Sequence, residues 1–142
     1  RTSLAQRGTT TVEFAVVGAV LMLVLLGVVE FGRLLYTYVV VNEGARRAAR
    51  VASVCPIGDA AIPAAALYNG RAILRGVDAG NVAVEYLDAL GGVVAAPAAN
   101  FAQIRSVRVR MANVNHEMFI PLVAPTIRVP EFPVTLPRES LG

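Results

Sequence analysis

The chain has no lysine and no tryptophan, one histidine and one cysteine. All 13 basic residues are therefore arginine. The single Cys55 excludes an internal disulfide, and beside Pro56 it reads as a small apolar side chain. A single histidine leaves too little for a histidine-based metal site or a Ser-His-Asp triad. That residue, His116, stands beside Glu117 in a strand-like region, which predicts a solvated surface position. Charge is scarce as well: 16% of residues are charged and 56% are hydrophobic, which is unusual for a soluble domain of 142 residues. The net charge is +3, but the arginines are scattered, without dense clusters or interleaved aromatics. That pattern argues against a nucleic-acid surface. Glycines fall at turns and caps, and no phosphate-cradling loop occurs. Asp78, Glu85 and Asp88 are close in sequence, but alternate strand faces and the wrong spacing argue against an ion site. No catalytic, cofactor-binding or metal-binding constellation is left, so a non-enzymatic protein without cofactors is expected.

What the sequence does have is one long apolar run. Residues 14 to 29 hold sixteen positions without a charge, and residues 31 to 41 carry only Arg33. A stretch of about 18 or more apolar residues crosses a hydrocarbon core about 30 Å thick, because a helix rises about 1.5 Å per residue. The basic segment before it resembles the start of a signal peptide. The apolar run is longer than a secretory one, however, and lacks a small-x-small site at its far end, so it is expected to be retained. Membrane lipid is therefore one expected partner. Glu13, at the entrance of the run, needs a partner or a task. Thr10 and Glu13 match a capping box, which would start a helix near Thr10. A capping role and a role in assembly are compatible.

The helix is expected to continue to Val54, where Pro56 ends it. It would be on the order of 65 Å long, half in lipid and half outside. Glu30 and Arg33 can pair across one turn, and Tyr36 and Tyr38 suit an interfacial belt. Gly44, Ala48 and Ala52 form a stripe of small residues along which another helix can approach closely. High alanine propensity on a surface helix would give the same pattern.

A second short helix is expected over Pro63 to Arg75, with Gly76 as its cap. After Gly80 the period changes to two. Val82, Val84 and Tyr86 alternate with Ala83 and Glu85, and Gly91-Gly92 marks a turn. Val107, Val109 and Met111 face inward, with Arg108 and Arg110 outward. His116 to Ile120 can form a further strand, and the segments at Ile127 and Val134 read as edge elements limited by prolines. The expected fold is α+β: a long N-terminal helix, transmembrane in its first half, with a small antiparallel sheet domain and one short helix.

Three blocks carry a resemblance. They are Arg-Gly-Thr-Thr-Thr-Val-Glu-Phe-Ala at 7–15, Gly-Val-Val-Glu-Phe-Gly-Arg-Leu-Leu-Tyr at 27–36 and Asn-Glu-Gly-Ala-Arg-Arg-Ala-Ala-Arg at 42–50. Together they resemble the TadE-like family, the pseudopilins of bacterial tight-adherence (Tad/Flp) pilus systems. The resemblance covers about 45 residues, and the rest of the chain matches only in layout. It implies a prepilin-type leader over 1–8, a long helix over 9–54 with its transmembrane segment at 12–36, and an extracytoplasmic domain over 55–142. It implies that a prepilin peptidase cuts between Gly8 and Thr9. It also implies that Glu13, with Phe14 beside it, serves assembly by pairing with the new N-terminal amine of a neighbouring subunit. The implied partners are the peptidase, other pilins and pseudopilins of the system, and the inner-membrane assembly platform. The implied location is the bacterial inner membrane, single-pass, with the N-terminus cytoplasmic and the domain periplasmic, or the extracellular pilus after assembly. Arg33, Arg46, Arg47 and Arg50 after the span outnumber Arg1 and Arg7 before it, which by the positive-inside count favours the opposite orientation. Gly18 stands where many relatives carry proline, and Phe14 replaces a tyrosine common in the major subunits. Phe14 and the chain length favour a minor pilin over a main subunit. The alternative is a permanently anchored envelope protein whose outer domain binds another envelope component.

Overall fold

A computed structural model describes residues 6–69, 73–119 and 126–138. Its first element, α1 (Gln6–Ala52), is one continuous helix of 47 residues. At about 1.5 Å per residue it is about 70 Å long. The helix changes character along its length. From Val12 to Phe31 its large apolar side chains are exposed, most of them by more than half. It has one stretch long and apolar enough to cross a membrane, and none of that stretch is buried within the molecule. From Thr37 onward one face is buried, through Val41, Ala45, Ala48, Ala49 and Ala52. That 3–4 spacing is the stripe by which a helix meets a core.

Thr10 lies inside α1, beyond its first turn, so it does not start the helix. A capping box serves only the unpaired amides of a first turn, and the expected Thr10–Glu13 cap is corrected accordingly. The second helix, α2 (Ala61–Ala66), is also shorter than expected. Tyr68 and Asn69 adopt left-handed backbone (φ 54° and 63°), and the Asn69 amide bonds back to the Ala64 carbonyl at 2.8 Å. That closure ends the helix well before Gly76. Tyr68 then ties the turn to α1, donating its hydroxyl to the Val40 carbonyl at 3.2 Å.

Among the described residues five strands follow: β1 (Val82–Leu87), β2 (Ser106–Met111), β3 (Asn115–Glu117), β4 (Thr126–Arg128) and β5 (Val134–Pro137). β1, β2 and β5 form one antiparallel sheet with β2 in the centre, and Val84, Val109 and Val134 share one register line. β3 and β4 pair separately, with His116 opposite Ile127. Asn113, at φ 56°, turns the chain between β2 and β3 and so divides the two sheets. Asp88 closes the turn after β1 by accepting the amides of Leu90 and Gly92, both at 2.8 Å.

The sheet lies on the second half of α1. Ala48, Ala49 and Ala52 pack with Ile62, Tyr86, Val107 and Val109. Nearer the apolar half, Val41 and Ala45 pack with Val77, Met111, Val114 and Val129. Alanines on the helix let the valines of β2 come close. Each fully buried valine contributes about 1.5–3 kcal/mol of transfer free energy. Outside, Glu85 bridges Arg108 and Arg110, at 3.6 and 3.0 Å. The fold is thus α+β, with a candidate membrane span that leaves the domain as one end of a single helix.

Candidate functional site

Two regions of α1 hold the residues with chemistry to explain. The first is its start. The Gly8-Thr9 peptide lies within the helix, three residues past Gln6 at most. Thr9 and Glu13 are exposed, and Phe14 is 80% exposed. No element of the outer domain reaches this end among the described residues, so its side chains face whatever surrounds the helix.

The second region is where the apolar half meets the domain. Glu30 is 4% exposed although it stands next to Val28, Val29 and Phe31 in the chain, all more than 60% exposed. The helix turns it inward. Arg33 donates Nη1–H to both carboxylate oxygens, at 3.0 and 2.9 Å, one turn along. The pairing of Glu30 with Arg33 follows from their i, i+3 spacing. His116 of β3 adds a contact that no local spacing contains: its Nε2 lies 3.1 Å from Glu30 Oε1, across 86 residues of sequence. The backbone amide of Phe119 bonds to the same carboxylate. Thr37, a turn above Arg33, has its Oγ1 3.0 Å from His116 Nδ1.

His116 is therefore not at the surface, as its neighbours in sequence suggested. It is 6% exposed and clamped between two residues of α1. β3 shows the reason in its alternation: Asn115 and Glu117 point outward, and the residue between them must point inward. The hydrogen-bond network constrains the ring's protons. Glu30 can only accept, so Nε2 carries a hydrogen and donates it. Thr37 has one hydroxyl hydrogen and two candidate acceptors, the Arg33 carbonyl at 3.0 Å and His116 Nδ1. With a neutral ring, the hydroxyl donates to Nδ1. With a charged ring, Nδ1–H donates to the hydroxyl, which then donates to Arg33. Both arrangements keep the clasp closed.

Gly44, Ala48 and Ala52 are all buried, and they face this molecule's own elements. A Cβ at Gly44 would lie 2.7 Å from the Ala66 carbonyl oxygen and 3.0 Å from Met111 Sδ. The small stripe thus seats α2 and β2. Tyr38 also turns into the domain, edge-on to Phe132 with ring centroids 6.2 Å apart, while Tyr36 stays 54% exposed. No group of three or more His, Cys, Asp or Glu side chains could hold a metal ion among the described residues.

The exposed apolar half, the leader-like start and the clasp all fall on one helix. No curated protein and no solved structure matches the chain. Residues 8–50, which include Gly8, Thr9, Glu13, the clasp residues of α1 and the start of the small stripe, match the family model described as TadE-like protein.

Proposed function

We propose that the chain is a minor pilin or pseudopilin of a Tad pilus system, a non-enzymatic subunit that a prepilin peptidase cuts between Gly8 and Thr9. The observation that carries this reading is the match over residues 8–50, which coincides with a helix whose first half is apolar and unburied. Such a surface needs lipid or other helices around it. A helix that is lipid-anchored before assembly can be packed among its neighbours after it, through the same side chains. The cut frees an amine at Thr9, and Glu13 offers a carboxylate four residues further on. In an apolar surrounding neither charge is tolerated alone, so pairing between subunits would satisfy both and set their axial register. The domain then sits on the periplasmic side of the inner membrane, where the assembly platform and other pilins are its partners.

The test is the intact mass of the protein purified from membranes, with and without the host's prepilin peptidase. A peptidase-dependent species beginning at Thr9 is expected. One uncut species in both backgrounds would sink the proposal and leave a permanent membrane anchor. Gly8→Val is expected to keep the leader attached, since a branched side chain obstructs the peptide at the cleavage site. Glu13→Val is expected to be cut as usual but lost from sheared pili, as read by immunoblot of the pilus fraction. Normal incorporation of the Glu13→Val chain would remove charge pairing from the assembly step.

A further inference from the structure

The clasp fixes the height of the β3–β4 pair on α1. His116 and the Phe119 amide meet Glu30, and Met118 and Ile127 line an open groove of ≈ 280 Å³ with Gly27, Phe31 and Leu34. Counted from Val12, a hydrocarbon core of about 30 Å takes up about 20 residues of helix and ends near Phe31. Gly27 lies about 6 Å inside that limit at 1.5 Å per residue. The end of the β3–β4 pair is therefore level with the membrane boundary, while the rest of the domain packs on Val41 to Ala52, further out.

The side chains at that end suit the boundary. Phe119 is 78% exposed and lies under Arg33, whose guanidinium carbon is 4.1 Å from the ring centroid. A single exposed apolar side chain is ordinary on a soluble surface. This one lies beside the helix at Arg33, just past the exposed Val28, Val29 and Phe31. Arg33 is held over the ring and against Glu30, with part of its side chain open to the headgroup level, as arginine at an interface requires.

We propose that the β3–β4 end is a second membrane contact, a foot in which Phe119 enters the boundary between lipid headgroups and acyl chains next to α1. The occupant is lipid rather than another protein because Phe119 stands beside Arg33, at the outer limit of the apolar, unburied span. A single helix leaves its domain free to tilt and turn over the bilayer. A second contact, joined to the helix through the Glu30 clasp, fixes which face of the domain points along the membrane. This inference rests on the reading of α1 as a membrane span and is independent of leader cleavage and pilus assembly.

The chain has no tryptophan, so one substitution gives a single reporter. The full chain carrying Phe119→Trp is reconstituted into phosphatidylcholine vesicles, with and without bromine on the acyl chains. The expected result is blue-shifted emission that loses roughly half its intensity in the brominated vesicles, as a side chain in the interfacial belt should. Leu23→Trp, in the middle of the span, should be quenched at least as strongly. Leu90→Trp should emit as in water in both vesicles. Leu90 is 96% exposed beyond the Tyr86 end of β1, which packs beside Ala48 to Ala52. Water-like emission from Phe119→Trp, with Leu23→Trp quenched, overturns the foot while the span stands. Blue-shifted emission that bromine does not quench also overturns it, and assigns the patch to a second copy of the chain. If Leu23→Trp is not quenched, the span fails and the foot with it.

Discussion

His116→Leu is expected to destabilise the outer domain by about 2–3 kcal/mol, although its region of the sequence looks like surface. The leucine removes the donor that faces Glu30 Oε1 and the ring that faces Thr37. Glu30 keeps Arg33 and the Phe119 amide, so the loss is partial. Its carboxylate is 5% exposed, however, and cannot recruit water to replace a lost hydrogen bond. The check is the protease resistance of the domain over a temperature series in detergent. A domain of this size losing 2–3 kcal/mol should open roughly 10 °C or more below wild type. The double variant Glu30→Leu/His116→Leu separates the clasp from simple loss of a side chain. It removes both polar partners at once, and Arg33, whose side chain is 38% exposed, can turn to solvent. The double variant is therefore expected to lose at least about 1 kcal/mol less than the sum of the two single variants. Additive losses, or a His116→Leu domain as stable as wild type, would mean that the clasp does not hold β3 to the helix.

The clasp also marks where reading the sequence stopped working. Glu30 and Arg33 were legible as a pair because helical spacing is local. The alternation in Ser106 to Met111 placed β2 at its observed bounds, since a period of two needs no knowledge of the partner strand. The family match over residues 8–50 spans the three blocks that carry the resemblance except Arg7. His116 was different. Its partners lie 79 and 86 residues away, so nothing beside it in the chain announces them. One signal was available: a carboxylate inside an apolar run demands compensation, and a single arginine one turn away, partly exposed, does not surround it. The short α2 was lost to the left-handed Tyr68 and Asn69, a backbone choice that side-chain periodicity does not encode. The stripe at Gly44, Ala48 and Ala52 was visible as a close-approach surface, but spacing alone does not say whether the approaching element belongs to the same chain.

Gly44→Val tests that last point, and it is expected to cost the domain about 3 kcal/mol. Replacing a mid-helix glycine by alanine normally stabilises by about 1 kcal/mol, because glycine loses the most backbone freedom on folding. At Gly44 this gain is opposed. The nearest atom to an added Cβ is the backbone oxygen of Ala66 at 2.7 Å, which cannot rotate away as the end of a flexible side chain can. Met111 Sδ, at 3.0 Å on the adjoining side, blocks part of the escape but can itself shift. Valine adds two methyl groups to the collision, so α2 must lift from α1. Lifting it exposes Ile62 and Ala66, which are 1% and 2% exposed in the closed packing. Gly32 supplies the contrast within the same helix, because a Cβ there meets nothing within 4 Å. Gly32→Ala should leave the domain's protease resistance unchanged or slightly raised, Gly44→Ala should lower it, and Gly44→Val should lower it most. If the three variants open at the same temperature as wild type, α2 is not seated on the stripe, and the small residues at 44, 48 and 52 are left open to a helix from another subunit.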